Sequence, residues 1–238
     1  MTEPDYLRPF VLPSQKRPHE RHDTFDLYAP DDEAPQPAIV FVHGGPIPEE
    51  MKPLPREWPI FQGYASTAAE RGFVGVTVEH GPHLMPDPFG TAERVIAEAI
   101  EEVRADPRVD ADRVALWFFS GGGLLASSWL RTPPPWLRCL AATYPLLGFL
   151  PGWPEDPRFL PSEAVRTAGD LPIVLTRVGL ESPEVAATVE AFVATAPAGL
   201  TVIDVPDGHH SFDCLDHTDQ SRGAVRRAFD LVSDHLRA

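Results

Sequence analysis

Leu116-Trp117-Phe118-Phe119-Ser120-Gly121-Gly122-Gly123 is the stretch of this chain best equipped for chemistry. An apolar run that reads as a strand delivers a serine into three glycines, and a helical segment is expected at 124–130. A tight strand-to-helix turn strains the serine's backbone, lifts its Oγ clear of the sheet edge and sets a helix N-terminus against the reaction. Gly122, two residues after the serine, allows strand and helix to pack closely. A phosphate-cradling loop is the other use of such glycines, but no G-K-[ST] follows here. Ser120 is therefore read as a nucleophile.

Two further segments could complete its chemistry. His43-Gly44-Gly45-Pro46 directly follows the apolar run 38–42. Glycines let the backbone turn back so that N–H groups point inward and hold an oxyanion. Pro46 has no N–H, which leaves Gly44, Gly45 or Ile47 as donor. Gly45 is favoured, joined by the N–H of Gly121. His43 belongs to the turn and is assigned to fixing that loop by hydrogen bonding. Asp207-Gly208-His209-His210-Ser211-Phe212-Asp213 follows the last expected strand. A base must take the serine's proton and return it to the leaving group, and histidine titrates in the suitable range. His210 is preferred to His209, because His210-Ser211-Phe212-Asp213 occupies the loop before the final helix.

The orienting carboxylate is expected in the loop after the strand at 172–178, between serine and histidine in chain order. Glu181 lies there; its rival Glu184 falls at a helix start, where an acid is favoured by the dipole alone. The cluster His209, His210, Asp213, Asp216 and His217 has neither a spaced H-x-x-x-H nor a cysteine pair, so no metal is assigned. Serine, histidine, carboxylate and two aimed N–H groups together would carry out acyl transfer through an acyl-enzyme.

Such residues need a scaffold that brings distant loops to one edge. Apolar runs at 38–42, 73–79, 113–119, 138–144, 172–178 and 200–205 alternate with helical stretches at 58–71, 91–105, 124–130, 184–195 and 218–236. Strands alternating with helices imply β-α-β units and a mainly parallel sheet, and unbroken apolar strands imply helices on both faces. Residues 1–37 read as an N-terminal extension with an edge strand around 22–28. Proline clusters at 46–59, 82–88 and 145–161 all follow strand C-terminal ends, the edge at which open α/β sheets bind ligands.

The bulk numbers set the outer limits. A chain of 238 residues is within the range of a single α/β domain, here taken as 1–238. A net charge of −15 argues against nucleic acid or anionic membranes as partners. No apolar run approaches a membrane span or a secretory leader, so a cytoplasmic protein is expected, with its two cysteines, Cys139 and Cys214, reduced and structural.

His43-Gly44-Gly45-Pro46, Ser120-Gly121-Gly122, Ala142-Thr143-Tyr144-Pro145, Gly179-x-Glu181 and Gly208-His209-His210-Ser211-Phe212 give the chain its resemblance to a known family. It resembles the α/β-hydrolase superfamily, in particular the compact dienelactone-hydrolase-like and prolyl-oligopeptidase-like serine esterases, over roughly residues 22–237. The resemblance implies a mostly parallel eight-stranded sheet flanked by helices, with a small cap after strand 6 at about 146–170. Two departures stand out. Phe118 replaces the first glycine of the G-x-S-x-G elbow, and Glu181 stands where aspartate is more usual. Dienelactone hydrolases proper use a cysteine nucleophile, so their substrate does not carry over.

The expected reaction is hydrolysis of a small-molecule carboxylic ester, lactone or thioester, without a cofactor. Trp58, Tyr144, Phe149 and Trp153 are candidate pocket residues. Acyl transfer or ring closure would use the same triad, and a silent hydrolase fold serving as a binding module is the alternative of another class. The sequence is compatible with a homodimer.

Overall fold

The computed structural model describes residues 4–32, 34–81 and 87–238. Its strands are β1 (Glu20–Arg21), β2 (Phe25–Tyr28), β3 (Gln36–Val42), β4 (Val74–Val78), β5 (Val109–Phe119), β6 (Leu137–Thr143), β7 (Ile173–Leu180) and β8 (Leu200–His209). They form one sheet in the order β1-β2-β4-β3-β5-β6-β7-β8. The hairpin β1–β2 joins β4 antiparallel, and every pair from β4 to β8 is parallel. The helices are α1 (Pro59–Glu70), α2 (Pro88–Ala105), α3 (Ser127–Arg131), α4 (Pro161–Ala164), α5 (Pro183–Thr195), α6 (Phe212–Leu215) and α7 (Asp219–Arg237).

Period-two alternation along each strand feeds two separate apolar layers. On β5, Val114, Leu116 and Phe118 join the layer under α2, α3 and α5, whereas Ala115, Trp117 and Phe119 join the layer under α1 and α7. This alternation explains how a phenylalanine is accommodated two residues before Ser120. The Phe118 ring is fully buried and meets the Trp129 ring of α3 at 5.8 Å between centroids. It points into the core, on the opposite face from Phe119.

Two segments differ from the reading of the sequence. The helix expected at 124–130 is a 3-10 turn over Ser120–Ala126 followed by the short α3. Three consecutive glycines give a poor α-helical start, and the tighter 3-10 turn fits the crowded space beside His43 and Leu146. The N-terminal residues are more than an extension. Phe10, Val11 and Leu12 are buried, and the Phe10 ring lies so close to Gly63 of α1 that any Cβ there would collide with it. Residues 4–12 thus form an arm whose last three residues belong to the core. The proline cluster at 82–88 lies mostly outside the described residues; those at 46–59 and 145–161 follow β3 and β6.

Phe118→Ala is expected to lower the free energy of unfolding by about 3–5 kcal/mol, the usual loss for emptying a buried aromatic site. A urea titration measures it, and a loss below about 1 kcal/mol would contradict the core placement.

Candidate active site

Strand β5 ends at Phe119, and Ser120 turns out of it with φ +49°. Non-glycine residues rarely adopt this left-handed conformation. The turn is fixed from two sides. The Ser120 carbonyl accepts the Leu146 N–H at 2.8 Å, and the loop after β3 presses its backbone against the elbow. A Cβ on Gly44 would lie 2.7 Å from Ser120 Cβ, and one on Gly121 would lie 2.7 Å from the Gly45 carbonyl. Only glycine fits at either position. Gly45 and Gly121, the expected pair of oxyanion donors, are thereby brought together beside the Ser120 hydroxyl.

His43 braces this loop from beneath. Its Nδ1–H donates to the Gly44 carbonyl at 2.6 Å, and its ring stacks on His80 at 3.8 Å. His80 Nε2 donates in turn to the His43 carbonyl at 3.1 Å. His43 is buried and does not touch Ser120's cavity.

The candidate acid and base owe their proximity to a register shift at the end of the β7–β8 pair, between Val178 and Leu180. Leu180, the last residue of β7, pairs with His209, the last of β8. Glu181 and His210 are the next residues on each strand and leave the sheet edge side by side. His210 Nδ1 lies 2.6 Å from Glu181 Oε2, and its Nε2 lies 2.7 Å from Ser120 Oγ. A carboxylate can only accept, so Nδ1 carries the proton and Nε2 turns its lone pair to the serine. The second Glu181 oxygen accepts the Ser182 N–H at 2.9 Å. Partial burial raises the Glu181 pKa, but the His210 hydrogen bond and charge, with the Ser182 N–H, outweigh it and hold the carboxyl below its ordinary value. His209 faces the other way, with its backbone N–H and Nδ1 on Asp216 at 2.8 and 3.1 Å. Glu184 is exposed in the first turn of α5.

A cavity of about 350 Å³ opens at Ser120 and His210. Trp58 and Tyr144 line it, as the sequence reading expects. Trp153, half exposed, lines a smaller neighbouring cavity of about 220 Å³ with Gly45, Gly121 and Leu124. Phe149 reaches neither: it packs edge-on against Phe89 at 5.9 Å and borders a surface depression beside α5. Tyr6, Phe61 and Phe119 also line the main cavity; Tyr6 and Phe61 carry no motif that would have singled them out, and Phe119 enters the sequence reading only as part of the strand leading to Ser120.

Asp213 was visible in the sequence only as a member of the histidine-rich cluster. It is fully buried, and the hydroxyls of Tyr64 and Tyr144 both donate to its Oδ2, at 2.9 and 3.0 Å. Among the described residues, no hydrogen-bond partner reaches Oδ1. Burial pushes this carboxyl up to about 7, against the opposing pull of the two hydroxyls and the nearby His210 charge. Among the described residues, no group of three or more His, Cys, Asp or Glu side chains could hold a metal ion. Cys139 and Cys214 are buried free thiols, and burial raises the Cys214 pKa to about 12. No described helix is long and apolar enough to cross a membrane.

No protein-family model and no curated protein matches the chain in sequence. Solved structures match it at the level of the fold. EstE1, a thermostable carboxylesterase cloned from a metagenomic library, aligns with a TM-score of 0.71 over 95% of this chain and 92% of its own, at 17% identity. A bacterial heroin esterase aligns with a TM-score of 0.67 over 90% and 80%, at 19% identity. Thermogutta terrifontis esterase 2, solved phosphoramylated by tabun, aligns at 0.65 over 89% and 88%, also at 19% identity. The chain has the α/β-hydrolase fold.

Asp213 generates a prediction about stability. Its folded pKa, about 7, lies above the usual 3.8. The unfolded chain therefore gives up this proton first, and stability is lost as pH rises from about 4 to 7. Asp213→Asn removes that titration, so the difference in melting temperature between variant and native protein should shift in the variant's favour from pH 5 to pH 8. Parallel melting curves across this range would contradict the raised pKa.

Proposed function

We propose that this chain is a serine carboxylesterase in which Ser120 is the nucleophile, His210 the base and Glu181 the acid that orients it. The reading is carried by one observation: the unbroken relay of 2.7 Å from Ser120 Oγ to His210 Nε2 and 2.6 Å from His210 Nδ1 to Glu181, at the C-terminal edge of an α/β-hydrolase sheet. The esterase neighbours support the ester class at the level of the fold.

In this mechanism, Ser120 Oγ attacks the ester carbonyl as its proton passes to His210 Nε2. The resulting oxyanion accepts hydrogen bonds from the Gly45 and Gly121 N–H groups, aimed where charge develops. Glu181 stabilises the imidazolium and keeps its proton on Nδ1. His210 then gives the Nε2 proton to the departing alkoxide, leaving an acyl-Ser120 ester and free alcohol. Water attacks the acyl carbonyl as His210 takes its proton, and His210 returns that proton to Ser120 Oγ as the acyl group leaves as a carboxylic acid. Lactones and thioesters would follow the same steps with a tethered alkoxide or a thiolate as leaving group. The depressed Glu181 pKa keeps the acid ionised across the working range. Phe118 is no obstacle, because its ring lies in the core and Ser120 still holds the strained elbow conformation.

The test is a set of four variants assayed on p-nitrophenyl acetate and with a fluorophosphonate probe. Ser120→Ala should lose labelling and nearly all turnover; the corresponding loss in subtilisin is of order 10⁶ in kcat. His210→Ala should be nearly inactive, and His209→Ala should retain most activity. Glu181→Gln should lose a large factor, since an amide can stabilise the wrong imidazole tautomer; the analogous change costs about 10⁴ in a trypsin-like protease. Retained turnover in Ser120→Ala would overturn the serine mechanism, and inactivation by His209→Ala alone would move the base.

A further inference from the structure

The cavity wall carries more information than the relay at its end. Six lining residues form a continuous chain of rings from the mouth inward. Tyr6 stacks on Trp58 at 4.8 Å between centroids, Trp58 meets Phe61 at 6.1 Å, and Phe61 meets Phe119 edge-on at 5.3 Å. Phe119 then meets Tyr144 at 6.0 Å, and Tyr144 meets the His210 imidazole at 4.9 Å. Two polar edges of this wall are already engaged. Trp58 Nε1 donates to the Pro53 carbonyl at 3.0 Å, and the Tyr144 hydroxyl donates to Asp213. What faces the cavity is therefore mainly ring surface.

Resting on the esterase reading, we propose that this cavity receives the leaving alcohol, that its preferred substrates are esters of neutral, planar aromatic alcohols, and that Tyr6 is a specificity-determining residue. The chemistry fixes the side. The departing oxygen must take its proton from His210, so the alcohol has to occupy the space that His210 lines. The volume of about 350 Å³ is near the lower end of ordinary ligand pockets, roughly 300–1,000 Å³, and suits one or two fused rings. Offset and edge-on ring contacts each favour such a group by about 2- to 12-fold. Charge narrows the class further. Among the described lining residues Asp5 is the one acid and is paired with Arg8 at 3.0 Å, which weakens its pull on a cationic alcohol, and no Arg or Lys is there to meet an anionic one. The net charge of −15 likewise works against an anionic alcohol.

Tyr6 is held in place as part of a built wall. The arm that carries it is tied to the segment just after His210: Val11 N–H donates to the Asp213 carbonyl at 2.8 Å, and His217 Nε2 donates to the Pro9 carbonyl at 3.2 Å. Cys214 Sγ approaches the Asp5 carbonyl at 3.8 Å, and the Phe10 ring packs on Tyr64 at 4.6 Å.

The experiment measures kcat/KM for 2-naphthyl acetate, methyl acetate and methyl 2-naphthoate with the native chain, Tyr6→Ala and Tyr6→Phe. Both acetates form the same acetyl-enzyme, so a change in their ratio reports on the alcohol side. Comparing each variant with the native chain cancels the intrinsic reactivity of an aryl leaving group. The naphthyl-to-methyl acetate ratio should fall at least tenfold in Tyr6→Ala and be restored to within threefold by Tyr6→Phe. An unchanged ratio in Tyr6→Ala would overturn the proposal. So would a selective loss on methyl 2-naphthoate, which would place the acyl group in the cavity. If no ester is turned over and a fluorophosphonate does not label Ser120, the esterase reading itself fails and takes the proposal with it.

Discussion

Ser120 leaves β5 in a left-handed conformation, φ +49°, that costs a non-glycine residue on the order of 1–3 kcal/mol. Such a turn persists only where its surroundings leave no alternative, and here three parallel strands supply them. Val42 of β3 pairs with Phe118 of β5, and Phe119 of β5 pairs with Thr143 of β6. The three strands therefore end at nearly the same level, and their following loops meet at one point. Gly44 and Gly45 press in from β3, and the Leu146 N–H caps the Ser120 carbonyl from the β6 side. A side chain on Gly44 or Gly121 would push these backbones apart. The strained serine, the expected oxyanion donors and the cavity floor are thus consequences of one packing constraint.

The same sheet positions the proposed acid and base by a different device. The register of this parallel pair shifts near its end, from Val178–Val205 to Leu180–His209, so that two residues of β7 face four of β8, and the shifted pairing leaves Glu181 and His210 adjacent. Both Glu181 oxygens are engaged, one by His210 and one by Ser182. A carboxylate held at two points does not have to reorganise when charge develops on the imidazole, and this preorganisation is the main electrostatic means by which such a relay would work.

The legibility of the site follows the range of the interactions that build it. Ser120-Gly121-Gly122 and His43-Gly44-Gly45-Pro46 could be read directly, because the turns they require are set by the residues themselves. Glu181 could be placed because it follows the end of an apolar strand. Tyr6 and Phe10 could not, since neither belongs to a periodic run and their docking on Trp58 and Gly63 depends on the finished fold. Asp213 is buried by Tyr64 and Tyr144, 149 and 69 residues away along the chain, so its environment has no local signature. Phe118 departs from the elbow's glycine pattern, and that pattern is a statement about space. The side of the strand on which the residue falls decides whether that space is needed, and here Trp129 rather than the cavity receives the ring.

Strain is concentrated where rigidity would be useful. Four described non-glycine residues have positive φ: Asp87, Ser120, Tyr144 and Ser211. The last three line the same cavity. Each is held by its own hydrogen bonds: Leu146 on Ser120, the Thr176 carbonyl and Asp213 on Tyr144, and the N–H groups of Cys214 and Leu215 on the Ser211 carbonyl. Asp213 is the least stable member of this scaffold as an isolated group, because a carboxyl without water ionises only at a raised pKa. Yet it ties together α1 through Tyr64, the residue after β6 through Tyr144, and the N-terminal arm through the Val11 N–H on its carbonyl. An apolar residue there would remove the burial penalty but leave two buried phenol hydroxyls without their acceptor, each a loss of about 1–3 kcal/mol. The buried acid is therefore best understood as the joint between the arm that walls the cavity and the tyrosine whose ring rests against His210.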